Sequence, residues 1–176
     1  YMTRFTAPLS YDAITQATPL ALLKENKMIE QISYLDLFLG NKGGCIGEVC
    51  VAALLLGGIF LLARRIISWH IPVTYIAVTG LMCFIFGGKT LFSGNWLSYI
   101  LSGGLFLGAF FMATDYVTSP LTHKGQIVFG AGCGLLTAII RLWGGYPEGV
   151  SYSILMMNAA VPLIDRYTKK RIFGTR

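Results

Sequence analysis

The sequence predicts an all-α protein, a polytopic transmembrane bundle of five membrane helices. Three observations predict it. Of 176 residues, 55% are hydrophobic and 12% charged, where a soluble domain carries about 25% charged residues. Five apolar runs stand out, at 46–67, 71–88, 96–114, 126–143 and 149–165, each close to the ~20 residues that cross a ~30 Å hydrocarbon core as a helix. None alternates with period two, so helices rather than barrel strands satisfy the backbone in lipid.

Residues 1–45 precede the first run and differ in kind. They carry Asp12, Lys24, Glu25, Lys27, Glu30, Asp36 and Lys42, too much charge for a membrane segment. Thr18 is followed by Pro19; Thr is a favoured N-cap and Pro a favoured first helical residue, so a helix is expected from Thr18 through Leu23. Met28, Ile32, Leu35 and Leu39 recur at helical spacing and predict a short amphipathic helix on the surface or on a partner.

The connections between runs set an orientation. Arg64 and Arg65 end the first helix, His70 opens the second, His123 and Lys124 separate the third and fourth, and Arg166, Lys169, Lys170, Arg171 and Arg176 follow the fifth. If all five runs cross, these cations fall on one side, while the opposite loops hold Lys89 and Glu148. The positive-inside rule then makes 166–176 a cytoplasmic basic tail and 1–45 an extracytoplasmic loop flanking a 46–165 membrane domain. Trp69, Trp96 and Trp143 fall at the expected boundaries, as an aromatic belt requires. Within the runs, Gly104/Gly108 and Gly130/Gly134 have G-x-x-x-G spacing, which places small residues on one helix face for close packing in lipid.

Several function classes are disfavoured. The net charge of +6 sits at run ends rather than in a nucleic-acid-binding patch. Cys45, Cys50, Cys83 and Cys133 form no C-x-x-C pair and lack a histidine cluster, so no metal site is expected from this chain alone. No phosphate loop or G-x-S-x-G elbow is present, and no side chain is marked as catalytic.

The segment Asp12-Ala13-Ile14-Thr15-Gln16-Ala17-Thr18-Pro19-Leu20 resembles the flavinylation motif of the membrane subunits shared by Rnf and Nqr complexes. Gly43-Gly44-Cys45-Ile46-Gly47-Glu48-Val49, Ala113-Thr114-Asp115-Tyr116-Val117-Thr118-Ser119-Pro120, Arg141-Leu142-Trp143-Gly144-Gly145-Tyr146-Pro147-Glu148-Gly149, and Asn158 with Pro162-Leu163-Ile164-Asp165 resemble further segments of that family, in its order. Gln16 departs from the Gly or Ser often found at its position.

The resemblance implies that Thr18 carries FMN through a phosphoester, with Asp12, Thr15 and Ala17 completing the motif; some members hold a second, non-covalent riboflavin. An anion at Thr18 would also suit a helix N-terminus, where free N–H groups and the helix dipole favour negative charge. Family chains are about twice as long and consist of two related five-helix halves. This chain, which starts at Tyr1, is therefore expected to be the second half of an inverted-repeat, urea-transporter-like fold together with the flavin-bearing loop.

The activity implied is that of an electron-transfer flavoprotein subunit in an ion-translocating ferredoxin:NAD⁺ oxidoreductase in the inner (plasma) membrane. It would work beside the other Rnf subunits and couple redox chemistry to Na⁺ or H⁺ movement. Compact loops and a short tail favour Rnf over its NADH:quinone counterpart Nqr. A transporter or channel half of similar fold without redox function is the alternative.

Ionisable residues at membrane depth are costly and mark functional sites by default. Glu48, Asp115, Arg141 and Glu148 are accordingly candidates for contact with flavin or with an ion path. The competing expectation is snorkelling at helix ends, with Arg141 and Glu148 pairing to fix a turn. Asn158, in the middle of the fifth run, is expected to hydrogen-bond between helices.

Overall fold

The computed structural model describes residues 2–4, 14–16, 20, 34–40, 47–88, 91–92, 94–146 and 148–168. Each of the five apolar runs is helical, but the third is not one continuous helix.

Before the runs, β1 (Met2–Arg4) and β2 (Ile14–Gln16) form a small antiparallel ribbon, pairing Thr3 with Thr15. That ribbon departs from the all-α expectation. Of the helix expected from Thr18, Leu20 lies among the described residues and is helical. The expected amphipathic helix is represented by α1 (Tyr34–Leu39), and its buried face differs from the expected one. Leu35 and Leu39 are exposed, whereas Leu37 is wholly buried. With apolar residues at 35, 37, 38 and 39, spacing alone leaves the face open, and packing against the following helices selects Leu37 with Phe38.

The run 46–67 gives α2 (Val51–Ala63). It starts later than the run because a turn occupies 47–49, with Gly47 at φ +98°. It ends where Arg65 takes a left-handed φ of 57°. Next come α3 (His70–Phe86), α6 (His123–Leu142) and α7 (Val150–Thr168). Thr122 caps α6, its hydroxyl accepting from the Gly125 N–H at 3.1 Å, the N-cap geometry that satisfies an orphan donor. By length and composition α6 can cross a membrane, while α2 and α3 are shorter apolar helices.

The run 96–114 breaks into α4 (Trp96–Leu101) and α5 (Leu105–Leu107), which continues into a π-helical turn at Gly108–Met112. The break is Ser102-Gly103-Gly104. Ser102 is extended and Gly103 sits at φ +71°, a left-handed conformation that glycine adopts without a Cβ penalty. The π-turn is closed by an Ala113 N–H to Gly108 carbonyl bond of 2.7 Å. Such turns inside α-helices recur at functional sites.

Close helix contacts are built on glycine. A Cβ on Gly134 would lie 2.8 Å from the Tyr75 carbonyl, and one on Gly130 would lie 2.8 Å from the Ile71 carbonyl and closer still to the Thr74 hydroxyl. These two residues therefore let α6 meet α3 backbone to backbone. Gly108 makes room for the Val150 side chain of α7. Both G-x-x-x-G pairs thus lie at contacts. The core gathers Leu37, Val51, Ile71, Tyr75, Leu105, Ala109, Phe129, Cys133 and Ile154 around α3, α5 and α6. Outward faces stay apolar: Leu56, Ile59 and Phe60 on α2, Leu81 on α3, Val128 on α6 and Leu155 on α7 are exposed. In water such a surface drives association; a hydrocarbon surround removes that cost.

Side-chain contacts sort the connections to two ends. At one end, His70 and His123 stack at 4.6 Å, the Ser68 hydroxyl donates to Gln126, Thr122 meets Thr168, and the Leu121 N–H donates to Asp165. At the other end lie Leu20, Glu48, Asn95, Arg141 and Glu148, with Asn95 Nδ2 donating to the Tyr34 hydroxyl at 2.9 Å. Of the cations grouped by the sequence, those in the 64–70 and 121–124 connections therefore share one end, while residues 169–176 lie outside the described residues.

Candidate functional site

Arg141 lies one turn beyond Thr137 on the face of α6 that also carries Gly130 and Gly134, and it is 2% exposed. A guanidinium at this depth needs partners in fixed directions. Two are backbone carbonyls. Nη1 donates to the Tyr99 carbonyl at 2.6 Å and Nε to the Glu148 carbonyl at 3.1 Å. Tyr99 is in the last turn of α4, where helix carbonyls lose their intrahelical donors. Arg141 thus supplies a donor that the break in the third segment removes. Its bond to the Glu148 carbonyl lets Arg141 fix the turn before α7 through the main chain.

The break is packed on two sides by charged groups. A Cβ on Gly103 would lie 3.3 Å from Arg141 Nη2, 3.4 Å from Leu20 Cδ2 and 3.6 Å from Glu148 Oε1. A Cβ on Gly104 would lie 2.7 Å from Glu48 Oε2. Glu48, 8% exposed, comes from the turn ahead of α2. One guanidinium and two carboxylates therefore converge on side-chain-free backbone inside an apolar bundle. Two buried donors remain there without a hydrogen-bond partner among the described residues, Arg141 Nη2 and Ser102 Oγ. The junction presents donors beside carboxylate acceptors, a pattern suited to holding a polar ligand.

Three of the four predicted ionisable candidates, Glu48, Arg141 and Glu148, are brought together at this junction. The fourth, Asp115, is not. It lies exposed beyond the π-turn at the end of the bundle that carries His123, accepting from the Thr118 hydroxyl at 3.1 Å and, through its carbonyl, from the Ser119 N–H. It closes its own turn, an ordinary role for a short acid. Thr15 lies in β2. Asp12, Ala17 and the predicted acceptor Thr18 lie outside the described residues. Leu20, two positions after Thr18, is buried against Cys83, Tyr99 and Ala138 beside the break.

Asn158 departs from expectation. Its Oδ1 is buried with no hydrogen-bond partner among the described residues. Pro162, inside α7, has no N–H to offer the Asn158 carbonyl one turn back. The expected interhelical bond is therefore not formed among the described residues.

Sequence reading missed Ser102, Gly103, Gly104, Leu20 and Tyr99. The signal was present as Ser-Gly-Gly in mid-run, three residues unfavourable to helix interiors, but Gly104 was absorbed into a packing motif. It also missed a buried hydroxyl triangle one turn from Arg141. Tyr75 meets Thr137 at 2.7 Å and Ser153 at 3.1 Å, and Thr137 meets Ser153 at 2.6 Å. Ser153 can also donate to the Val150 carbonyl. These mutually satisfied groups join α3, α6 and α7.

Residues 1–174 match the model of the NQR2, RnfD, RnfE family. Among characterised proteins, the chain is 53% identical to the D subunit of the Na⁺-translocating ferredoxin:NAD⁺ oxidoreductase complex of Acetobacterium woodii, over 93% of this chain and 50% of that one. It is 50% identical to the proton-translocating counterpart of Clostridium ljungdahlii, over 94% and 53%. It is 40% identical to the D subunit of the ion-translocating oxidoreductase complex of Escherichia fergusonii, over 97% and 50%. The chain spans about half the length of these relatives.

Proposed function

Because the chain belongs to the NQR2, RnfD, RnfE family, we propose that it is the flavin-carrying half of an RnfD-type subunit in an ion-translocating ferredoxin:NAD⁺ oxidoreductase of the inner membrane. FMN is joined to Thr18 by a phosphoester, and the segment bearing it faces the outer side of the membrane. The whole complex, with further membrane and peripheral subunits, couples electron flow to Na⁺ or H⁺ movement. Five membrane crossings put Arg64, Arg65, His123, Lys124 and the basic tail on the cytoplasmic side.

The observation that carries this reading is the acceptor motif, Asp12 to Leu20, in a chain half-identical to two subunits named for this activity. Leu20 adds support, since it ties the end of that motif into the polar junction at Gly103. The residues fit the group. Thr18-Pro19 suits a helix start that favours an attached phosphate, and the junction keeps two buried donors without partners among the described residues. When bound, flavin supplies the redox chemistry; the chain supplies position and electrostatics. Burial of the junction among Tyr99, Leu101, Leu105 and Phe106 excludes bulk water from it.

The coupling ion does not follow from kinship. Relatives named for Na⁺ and for protons are 53% and 50% identical to this chain.

Thr18→Ala in the full-length protein tests the proposal. The variant is expected to insert and assemble normally, to lose covalent flavin, and to abolish ferredoxin:NAD⁺ electron transfer. Turnover like wild type in the variant complex would refute it.

A further inference from the structure

We propose that the groove between α3 and α4 seats a transmembrane helix from the half of the full-length subunit that this chain does not span.

The groove is an open cavity of about 580 Å³. Its walls are apolar, with Val73, Ala77, Leu81 and Phe84 supplied by α3 and Trp96 and Ile100 by α4. From Val73 to Phe84 it runs about 17 Å along α3, more than half of a ~30 Å hydrocarbon core. Val73 lies in the first turn of α3, beside His70, and Phe84 in the last turn. An occupant therefore lies along the bundle axis, as a crossing helix does.

The groove exists because α4 is short. Ile100 packs on Gly80, where a Cβ would meet its Cδ1 at 2.7 Å, and α4 ends at Leu101. Val73 stands about 10 Å further along α3 than Gly80. The break at Ser102-Gly103-Gly104 thus ends the cover over α3 partway, and Val73, Ala77 and Leu81 stay exposed.

Width and lining select the occupant. Spread over its length, the cavity has a cross-section of about 35 Å², well under that of a helix about 10 Å across. It takes one ridge of side chains from a neighbouring helix, packed ridge into groove. No charged side chain lines it, so the ridge is apolar. An acyl chain has similar girth, and two observations favour the helix. At the centre of the groove α3 carries Ala77 and Gly80, small residues that let helices approach closely and add little to a lipid contact. The second observation is length. This chain covers 50% and 53% of its relatives from Acetobacterium woodii and Clostridium ljungdahlii, so a body of comparable size shares the subunit and needs a seam with this one.

The test places p-benzoylphenylalanine at Leu81 or at Val73 of the full-length subunit in its native complex. Membranes are irradiated and the cross-linked peptides mapped by mass spectrometry. Both positions are expected to cross-link within the same subunit, to an apolar peptide absent from the 176 residues of this chain. Adducts only to lipid, to a different subunit or to a second copy of this chain, or no cross-link at all, would overturn the proposal. If neither substituted subunit assembles, the wild-type complex decides. Irradiated with a phospholipid carrying a diazirine on its acyl chain, it is expected to remain unlabelled at Val73, Ala77 and Leu81. Labelling of these residues would show the groove open to lipid and overturn the seam.

Discussion

Replacing Gly134 or Gly130 by alanine should loosen the contact on which the bundle is built. At Gly134 the new methyl would sit 2.8 Å from the Tyr75 carbonyl, 3.0 Å from Val78 Cβ and 3.2 Å from the Thr79 nitrogen. At Gly130 it would sit 2.8 Å from the Ile71 carbonyl and closer to Thr74. Carbon contacts are optimal at about 3.5–4.0 Å, so α3 and α6 must part by roughly half an ångström or more. Overpacking costs about 1–3 kcal/mol, and alanine regains about 0.5–1 kcal/mol over glycine through backbone entropy and helix propensity. The net loss expected is about 1–2 kcal/mol for each single variant. One separation relieves both clashes, so the double variant should lose less than the sum. Gly132 provides the internal comparison. Its Cβ would meet the end of the flexible Met157 side chain at 2.5 Å, which can move aside, so Gly132→Ala should cost less. Equilibrium unfolding of the full-length protein in mixed micelles, titrated with a denaturing detergent, measures the order. Gly130→Ala and Gly134→Ala unfolding at the wild-type midpoint, or Gly132→Ala proving the worst, would refute the reasoning.

Tyr75→Phe removes one corner of the hydroxyl triangle and leaves the Thr137–Ser153 contact of 2.6 Å intact. The loss expected is about 1 kcal/mol, the scale of interhelical hydrogen bonds in membranes, and the same unfolding titration checks it. A cysteine introduced at Lys24 should react with a membrane-impermeant maleimide from the outer face of intact cells, above the background of the native cysteines. Labelling confined to inverted vesicles would reverse the proposed orientation.

Much of the architecture is written in the sequence because lipid imposes a simple code. Apolar length fixes where helices run, and each predicted stretch contains one or two. Basic residues at run ends mark a common end, and His70 and His123 do meet there. What spacing could not supply was the continuity of the third segment. Leu, Phe and Ala on both sides of Ser102-Gly103-Gly104 keep the run apolar on average, so the break disappears in any window long enough to find a span. Whether a glycine opens a helix or packs against a neighbour depends on what stands opposite it. Gly108 faces Val150 and remains helical, whereas Gly103 faces Arg141 and takes a left-handed φ. The site was legible in part for a related reason. The rarity of charge in an apolar chain singles out Glu48, Arg141 and Glu148, but rarity carries no distance, and Asp115 satisfied the same criterion while closing its own turn. Ser102 carries no charge to draw notice, and only the fold shows its hydroxyl buried without a hydrogen-bond partner among the described residues.

The most direct test of the central claim is mass spectrometric mapping of the Thr18 peptide from the native complex, denatured and digested after isolation from a host with the flavin transferase. The account predicts an FMN-sized adduct localised to Thr18 by fragmentation. An unmodified Thr18 in the native complex would contradict it, and the chain would then read as a channel-like half without redox function.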